Sequence, residues 1–397
     1  MTDTGTGTGT GTGNGTGRTA PWPVERLDPG GTDPTTPSSV RSPAAAPGPG
    51  GSRLRQRLAA AVAAVDAPDV VVAVSRHGRR TVHCGGTAPP PPAPREELRY
   101  ELGSASKTYT GLLLAQLTHE GPLTGNEPAA ACLDPARRTV AAPATPAPQP
   151  VMLADPPITL AHLITHTSGL PALPAGFLVR ALPVWRTNPY ARCPDDRVID
   201  AFLRHRPRHR PGTRWCYSNF GVAVLGHALA AVTGTPWEDL LTGRVLGPLG
   251  LSGTAPHPAG PGVDATGHRK DGRTPTPALD AGGFQAAGAV RATPHDLLTF
   301  LEAHLDPAGS PLAGALSAVR LPVLRCGRGR REVHTMTWFQ HPADGGPMYF
   351  HGGATLGQQA FLGFRPDTGT AVAAVCTRRF RVRDPFVTTA YALLAEE

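Results

Sequence analysis

The order of apolar patterns along this chain predicts a mixed α/β (α+β) fold. An antiparallel sheet is flanked by N- and C-terminal helices, and a mostly helical region is inserted between its two parts. Three observations carry this reading. A helical pattern and a strand pair come first, helix-period patterns fill the middle, and strand-length runs separated by Gly and Asp turns come last, before a final helix. Residues 1–52 are Gly, Thr, Pro and Ala with little to bury, which predicts a disordered low-complexity tail. The domain then spans 53–397, with its α/β part at about 53–103 and 285–397 and its helical part at about 104–284.

Each element has its own warrant. Residues 53–65 carry Leu, Val and Ala at helical spacing, and Asp66-Ala67-Pro68-Asp69 ends the pattern. The run Val70-Val71-Val72-Ala73-Val74 reads as a buried strand, His77-Gly78 as its turn and 81–84 as its partner. A proline loop at 89–94 leads through Arg99-Tyr100-Glu101-Leu102 to Ser104, and 109–117 has the residue types of a buried helix. A proline-rich loop occupies 122–157, after which Thr159 is placed to cap a helix. Helices follow at 197–203, 218–233 and 237–245. Strands are predicted at 331–340, 348–351, 358–364 and 370–377, and a helix at about 384–394.

Composition narrows the classes of function. A net charge of +8 and a pI near 9.6 raise nucleic acid or an anionic surface as partners, but the arginines read as spread out, with no run interleaved with aromatics; nucleic acid is not expected. Six cysteines lie far apart without a C-x-x-C pair, which reads as buried free thiols. The first 17 residues alternate Thr and Gly and offer neither a basic nor an apolar signal region, so the expected location is cytoplasmic. The longest apolar stretch, 58–74, is broken by Asp66 and Asp69 and is too short to span a bilayer, so no membrane segment is expected. His162 and His166 stand at i, i+4, but no Glu follows His162; neither zinc nor any other cofactor is expected. Asp195 and Asp196 are adjacent, point apart on a helix and read as a solvated helix start.

One residue type is conspicuously scarce. Of 38 basic residues only Lys107 and Lys270 are lysines, and Lys107 stands three residues after Ser104. On a helix that spacing puts hydroxyl and amine on one face. An arginine there stays protonated, whereas a lysine amine can be driven toward neutrality by burial and then accept a proton.

Four segments line up in order: Gly103-Ser104-Ala105-Ser106-Lys107, Leu163-Ile164-Thr165-His166-Thr167-Ser168-Gly169-Leu170, Tyr217-Ser218-Asn219, and His351-Gly352-Gly353-Ala354-Thr355. Across about 53–397 this order and spacing resembles the serine hydrolases related to class C β-lactamases, D-Ala-D-Ala carboxypeptidases and penicillin-binding proteins, with their esterase relatives. The resemblance implies a β-lactamase/transpeptidase-like fold and an acyl-enzyme on Ser104. Lys107 and Tyr217 are then the catalytic partners, either of which could take the serine proton. It implies that Asn219 donates to a substrate carbonyl and to the Lys107 region, and that His351 and Gly353 border the substrate. The backbone N–H groups of Ser104 and Ala354 would form the oxyanion hole. The 162–170 segment would be a structural signature flanking the pocket. His351 departs from the lysine expected in true lactamases and transpeptidases, removing a permanent charge for a substrate carboxylate. The expected activity is hydrolysis of a small-molecule ester, amide or peptide. Acyl transfer to an alcohol or amine, and a non-catalytic binding or scaffold role, are the alternatives. Loops at 122–157 and 255–279 are expected to border the pocket.

Overall fold

The computed structural model describes residues 49–134, 156–185, 187–326 and 332–396. Helix α1 (Pro49–Ala63) precedes the hairpin of β1 (Val70–Arg76) and β2 (Arg79–Gly85), which turns at His77 and Gly78. Both have positive φ, 48° and 76°, as a two-residue turn matched to strand twist requires. A short strand β3 (Tyr100–Glu101) leads through a 3₁₀ turn, Gly103–Ala105, into α2 (Ser106–Glu120). The helical region follows with α3 (Ala129–Leu133), α4 (Leu160–Ile164), α5 (Phe177–Ala181), α6 (Asp195–Leu203), α7 (Asn219–Thr233) and α8 (Trp237–Leu241). Then come β4 (Thr254–Ala255), α9 (Gln285–Gly288), β5 (Arg291–Ala292), α10 (Pro294–Leu305) and α11 (Ala313–Ala318). Strands β6 (Leu324–Cys326), β7 (Glu332–His334), β8 (Phe339–Ala343), β9 (Gly346–Ala354), β10 (Gln359–Arg365) and β11 (Thr370–Cys376) precede the last helix, α12 (Phe386–Glu396).

The main sheet has eight strands in the order β2-β1-β11-β10-β9-β8-β7-β6, all pairs antiparallel. The N-terminal hairpin joins it through β11, with Val70 opposite Cys376, so the first and last thirds of the chain build one sheet. Side chains alternate across β1. Val70, Val72 and Val74 join α1 and α12 in one core, and Val71 and Ala73 face the larger core on the other side. Both faces are covered, and this is why β1 reads as an unbroken apolar run. Helix α2 runs through the larger core with every residue from Ser106 to Leu117 buried, which explains why its sequence lacks a polar face.

Several expectations are corrected. Helix α1 begins at Pro49, inside the region read as tail, while residues 1–48 lie outside the described residues. The strand expected at 331–340 is two strands, because Thr335–Trp338 turns back on itself: the Thr335 N–H donates to the Trp338 carbonyl at 2.9 Å. Position 331 is outside the described residues. The helix expected at 237–245 is α-helical only to Leu241 and continues as a π turn, Thr242–Leu246. The loop at 122–157 contains α3, and 135–155 are outside the described residues. The small sheet β3-β5-β4 escaped notice because two-residue strands carry no periodicity. All six cysteines are free, as expected, but Cys216 is exposed and Cys84 only partly buried. Among the described residues no single helix is long and apolar enough to cross a membrane, and no group of three metal-binding side chains occurs.

Candidate active site

The site is built where the turn before α2 meets the open end of β9. Strand β8 pairs with β9 only as far as Phe350, so from His351 to Ala354 that edge of β9 is uncovered by a strand. The turn Gly103–Ala105 lies against it, and the approach is backbone on backbone. A Cβ on Gly353 would stand 1.9 Å from the Leu102 carbonyl oxygen, and one on Gly103, which has φ +50°, 2.5 Å from that of Ala354. Glycines at both positions allow Ser104 and Ala354 to border one cleft.

Ser104 sits in the 3₁₀ turn, two residues before α2 begins, and not within the helix itself. Ser104 and Lys107 stand at i and i+3 across the junction of this turn and α2, a spacing that puts them on one face. Lys107 Nζ lies 3.2 Å from Ser104 Oγ and donates to the Ala287 carbonyl at 2.8 Å. The Tyr217 phenol donates to the same Ser104 oxygen at 2.7 Å, and Lys107 Nζ is 5.1 Å from its ring centre. Burial pushes the Lys107 amine down to about 7. Burial pushes Tyr217 up to about 12, against the hydrogen bond to Ser104. At neutral pH the serine therefore stands between a substantially neutral amine and a protonated phenol.

Segment 286–290 is strapped along the start of α2 by three polar contacts. Thr110 donates to the Ala286 carbonyl at 2.7 Å, Lys107 to that of Ala287, and the Val290 N–H donates to Ser106 Oγ at 3.0 Å. The 162–170 segment holds Tyr217 from the other side. The Cys216 N–H donates to the His166 carbonyl at 2.8 Å and the Ser218 N–H to His166 Nδ1 at 3.2 Å, which makes that nitrogen an acceptor. The His166 ring packs 4.6 Å from the Tyr217 ring. His162 instead caps its own helix, accepting from the Thr159 N–H at Nδ1. Ser218, the N-cap of α7, accepts from the Gly221 N–H at 2.8 Å and donates to the Pro171 carbonyl at 2.7 Å.

Asn219 opens α7 and lines the cleft, but among the described residues the hydrogen bonds of Lys107 go to Ser104 and Ala287, and none joins it to Asn219. His351 is buried on β9, its Nδ1 2.7 Å from the Gly352 carbonyl. Burial first, then the Lys107 charge, lower it to about 3, so it is neutral. The cleft spans about 400 Å³ with the open solvent at its mouth included, and is lined by Ser104, Asn219 and Ala354, by Tyr190, Leu279 and Phe284, and by Ala287 and Gly288. Among the described residues, none that lines the cleft is charged.

Tyr190, Phe284 and Leu279 were not among the sequence candidates. The small-residue run Gly282-Gly283-Phe284-Gln285-Ala286-Ala287-Gly288 was the available signal, since close packing against a reactive turn demands small side chains. Leu279 is held by a buried pair: its N–H donates to Glu101 at 2.6 Å and its carbonyl accepts from Arg291 at 3.1 Å. The loop expected at 255–279 thus borders the pocket at its last residue, whereas the described part of 122–157 contributes no lining residue.

The family model described as Beta-lactamase matches residues 54–397. The chain belongs to that family. It is 31% identical to penicillin-binding protein 4 of Amycolatopsis lactamdurans over 70% of this chain and 71% of that protein. It is 28% identical to a β-lactamase of Pseudomonas fluorescens, covering 56% of each chain. It is 27% identical to the D-alanyl-D-alanine-carboxypeptidase/endopeptidase AmpH of Escherichia coli, covering 52% of this chain and 48% of that one. The chain thus spans about half the length of these last two relatives. The fold is similar to a class C β-lactamase of Rhodobacter sphaeroides, with TM-score 0.67 and 22% identity over 86% of this chain and 98% of that one. It is also similar to a β-lactamase/D-alanine carboxypeptidase of Pseudomonas syringae, with TM-score 0.68 and 19% identity over the same shares. Membership in the β-lactamase family supports a serine hydrolase-like activity.

Proposed function

We propose that this chain hydrolyses esters or small amides that lack a carboxylate beside the scissile bond, through an acyl-enzyme on Ser104. One observation carries the reading: Ser104 Oγ is bracketed by an amine of pKa about 7 and a phenol of pKa about 12. Lys107 in its neutral form takes the Ser104 proton as Oγ bonds to the carbonyl carbon. The oxygen that gains charge is received by the Ser104 and Ala354 N–H groups, donors that need no reorganisation. As the tetrahedral adduct collapses, the bond to the leaving group breaks and Tyr217 supplies its proton; the lysine ammonium returns a proton to the phenolate. Water then attacks the acyl carbon, with Lys107 accepting its proton; as this second adduct collapses the acyl–Oγ bond breaks, Tyr217 gives Ser104 Oγ a proton, and the lysine ammonium reprotonates the phenolate.

The substrate class follows from charge. With His351 neutral and no cation among the lining residues, the cleft offers a carboxylate no ionic partner, while Tyr190, Leu279 and Phe284 offer apolar contact. Short-chain p-nitrophenyl esters should therefore turn over faster than nitrocefin or D-amino-acid peptides. A fluorophosphonate probe should label the wild type at Ser104 and fail to label Ser104→Ala. Equal labelling of both would overturn the mechanism, and preferential turnover of nitrocefin would overturn the substrate class.

A further inference from the structure

The outer face of α5 and the 3₁₀ turn that follows, Leu182–Val184, has no use in the mechanism. Leu178, Val179, Leu182 and Trp185 are 58%, 72%, 69% and 40% exposed, the densest group of exposed large apolar side chains among the described residues. Scattered exposed leucines need no explanation, but four within eight residues do. Beside them, Arg180, Arg192 and Arg197 line one small depression together with Phe177 and Cys193. None of the three guanidinium groups has a hydrogen bond or ion pair with another described residue. The charge is regional: residues 177–214 hold nine arginines against three aspartates, or +6 of the chain's +8, a concentration that a reading of spread-out arginines overlooks. An apolar lip with an aromatic at its edge, flanked by unpaired arginines, matches a surface with an acyl interior and anionic headgroups.

We propose that residues 177–185 form a lip that seats on an anionic lipid surface, with Leu178, Val179, Leu182 and Trp185 entering the headgroup boundary and Arg180, Arg192 and Arg197 meeting phosphate groups. The inner side of the same helix is tied to the cleft. Phe177 packs 5.4 Å from Tyr190 and 5.7 Å from Phe284, both of which line it. Seating the lip therefore brings the cleft wall to the interface. The docking does not depend on the hydrolase reading.

Co-sedimentation of the full chain tests this, using vesicles of phosphatidylcholine alone and of phosphatidylcholine mixed with phosphatidylglycerol. The mixed vesicles should retain at least ~10-fold more protein, the difference should shrink as salt rises, and Leu182→Glu or Arg180→Ser combined with Arg192→Ser should abolish it. Both variants should keep wild-type turnover of a soluble p-nitrophenyl ester, which shows that they fold and separates this test from the hydrolase reading. Equal retention by both vesicles, or retention unchanged in the variants, would overturn the proposal. So would saturable displacement by inorganic phosphate at constant ionic strength, which indicates a small-anion site, or a dimer in gel filtration that Leu182→Glu dissolves.

Discussion

The Tyr217 phenol donates to Ser104 Oγ at 2.7 Å across 113 residues of sequence, and burial holds it protonated with a pKa of about 12. A phenol in that state is a proton donor at neutral pH. Tyr217→Phe should lower kcat on alkyl esters by ~10²–10⁴, the usual contribution of general acid–base catalysis. The loss should be smaller on p-nitrophenyl esters, whose leaving group departs without a proton. Equal losses on both would assign Tyr217 to positioning instead.

The Lys107 amine, lowered to about 7, sets the acid side of the pH profile. Values of log(kcat/KM) should climb with unit slope to about pH 7 and then level. Lys107→Arg should be inactive throughout, because a guanidinium does not deprotonate in this range. A profile flat between pH 5 and 8 would remove Lys107 as the base.

Lys107 also carries a stability cost with a definite sign. Its ordinary value is 10.5, so between pH 7 and 10.5 the unfolded chain binds a proton that the folded one lacks. Stability attributable to this residue therefore rises with pH across that window and is lowest below pH 7. Lys107→Met should be inactive yet melt at a higher temperature at pH 7, with ~4 kcal/mol as the upper limit of the gain. A lower melting temperature would mean that the contacts to Ser104 and Ala287 outweigh the cost of burial.

The glycine pair on β9 separates two effects. At Gly353 a Cβ meets the Leu102 carbonyl at 1.9 Å and the Ala105 nitrogen at 2.8 Å, whereas at Gly352 the nearest atom is 3.9 Å away. Gly353→Ala should push the Ser104 turn off Ala354 and lower kcat by ~10²–10³, the loss typical of one oxyanion donor. Gly352→Ala should stay within a few-fold of wild type. Similar losses in both would place the sensitivity in the strand and not in the turn.

Buried histidines make the fold acid-sensitive. His304 and His334 are lowered to about 4 and His351 to about 3, and His166 is also well below its ordinary 6.5, in each case mainly by burial. The unfolded chain takes up these protons below pH 6.5 while the folded chain does not, so stability should fall between pH 6.5 and 4. Urea midpoints measured across that range should drop steeply; a flat response would show that these rings are charged or hydrated in the fold.

The hairpin at His77-Gly78, the buried helix α2 and the strands β9, β10 and β11 were legible in the sequence because their patterns are local and strong. Where the reading failed, distant partners decided the outcome. The segment from Glu332 to Gln340 reads as one strand until Thr335 and Trp338 turn it back, and β4 and β5 exist only because each finds a neighbour far along the chain. In the site, Ser104 and Lys107 could be named from spacing, and Tyr217 and Asn219 from the family resemblance of their segment. Tyr190, Leu279 and Phe284 could not, since no local rule tells a cleft-lining aromatic from a core one.

The sequence alone determined the inventory: which side chains could serve as nucleophile, base and acid, and that lysine rather than arginine stands three residues after Ser104. Tertiary structure decided their states. Lys107 is titratable near neutrality because α2 is buried on every side, Tyr217 stays protonated because His166 and its neighbours exclude water, and His351 is neutral because it is buried on β9 near that amine. Desolvation depends on everything packed around a group, and sequence spacing records only its nearest neighbours along the chain.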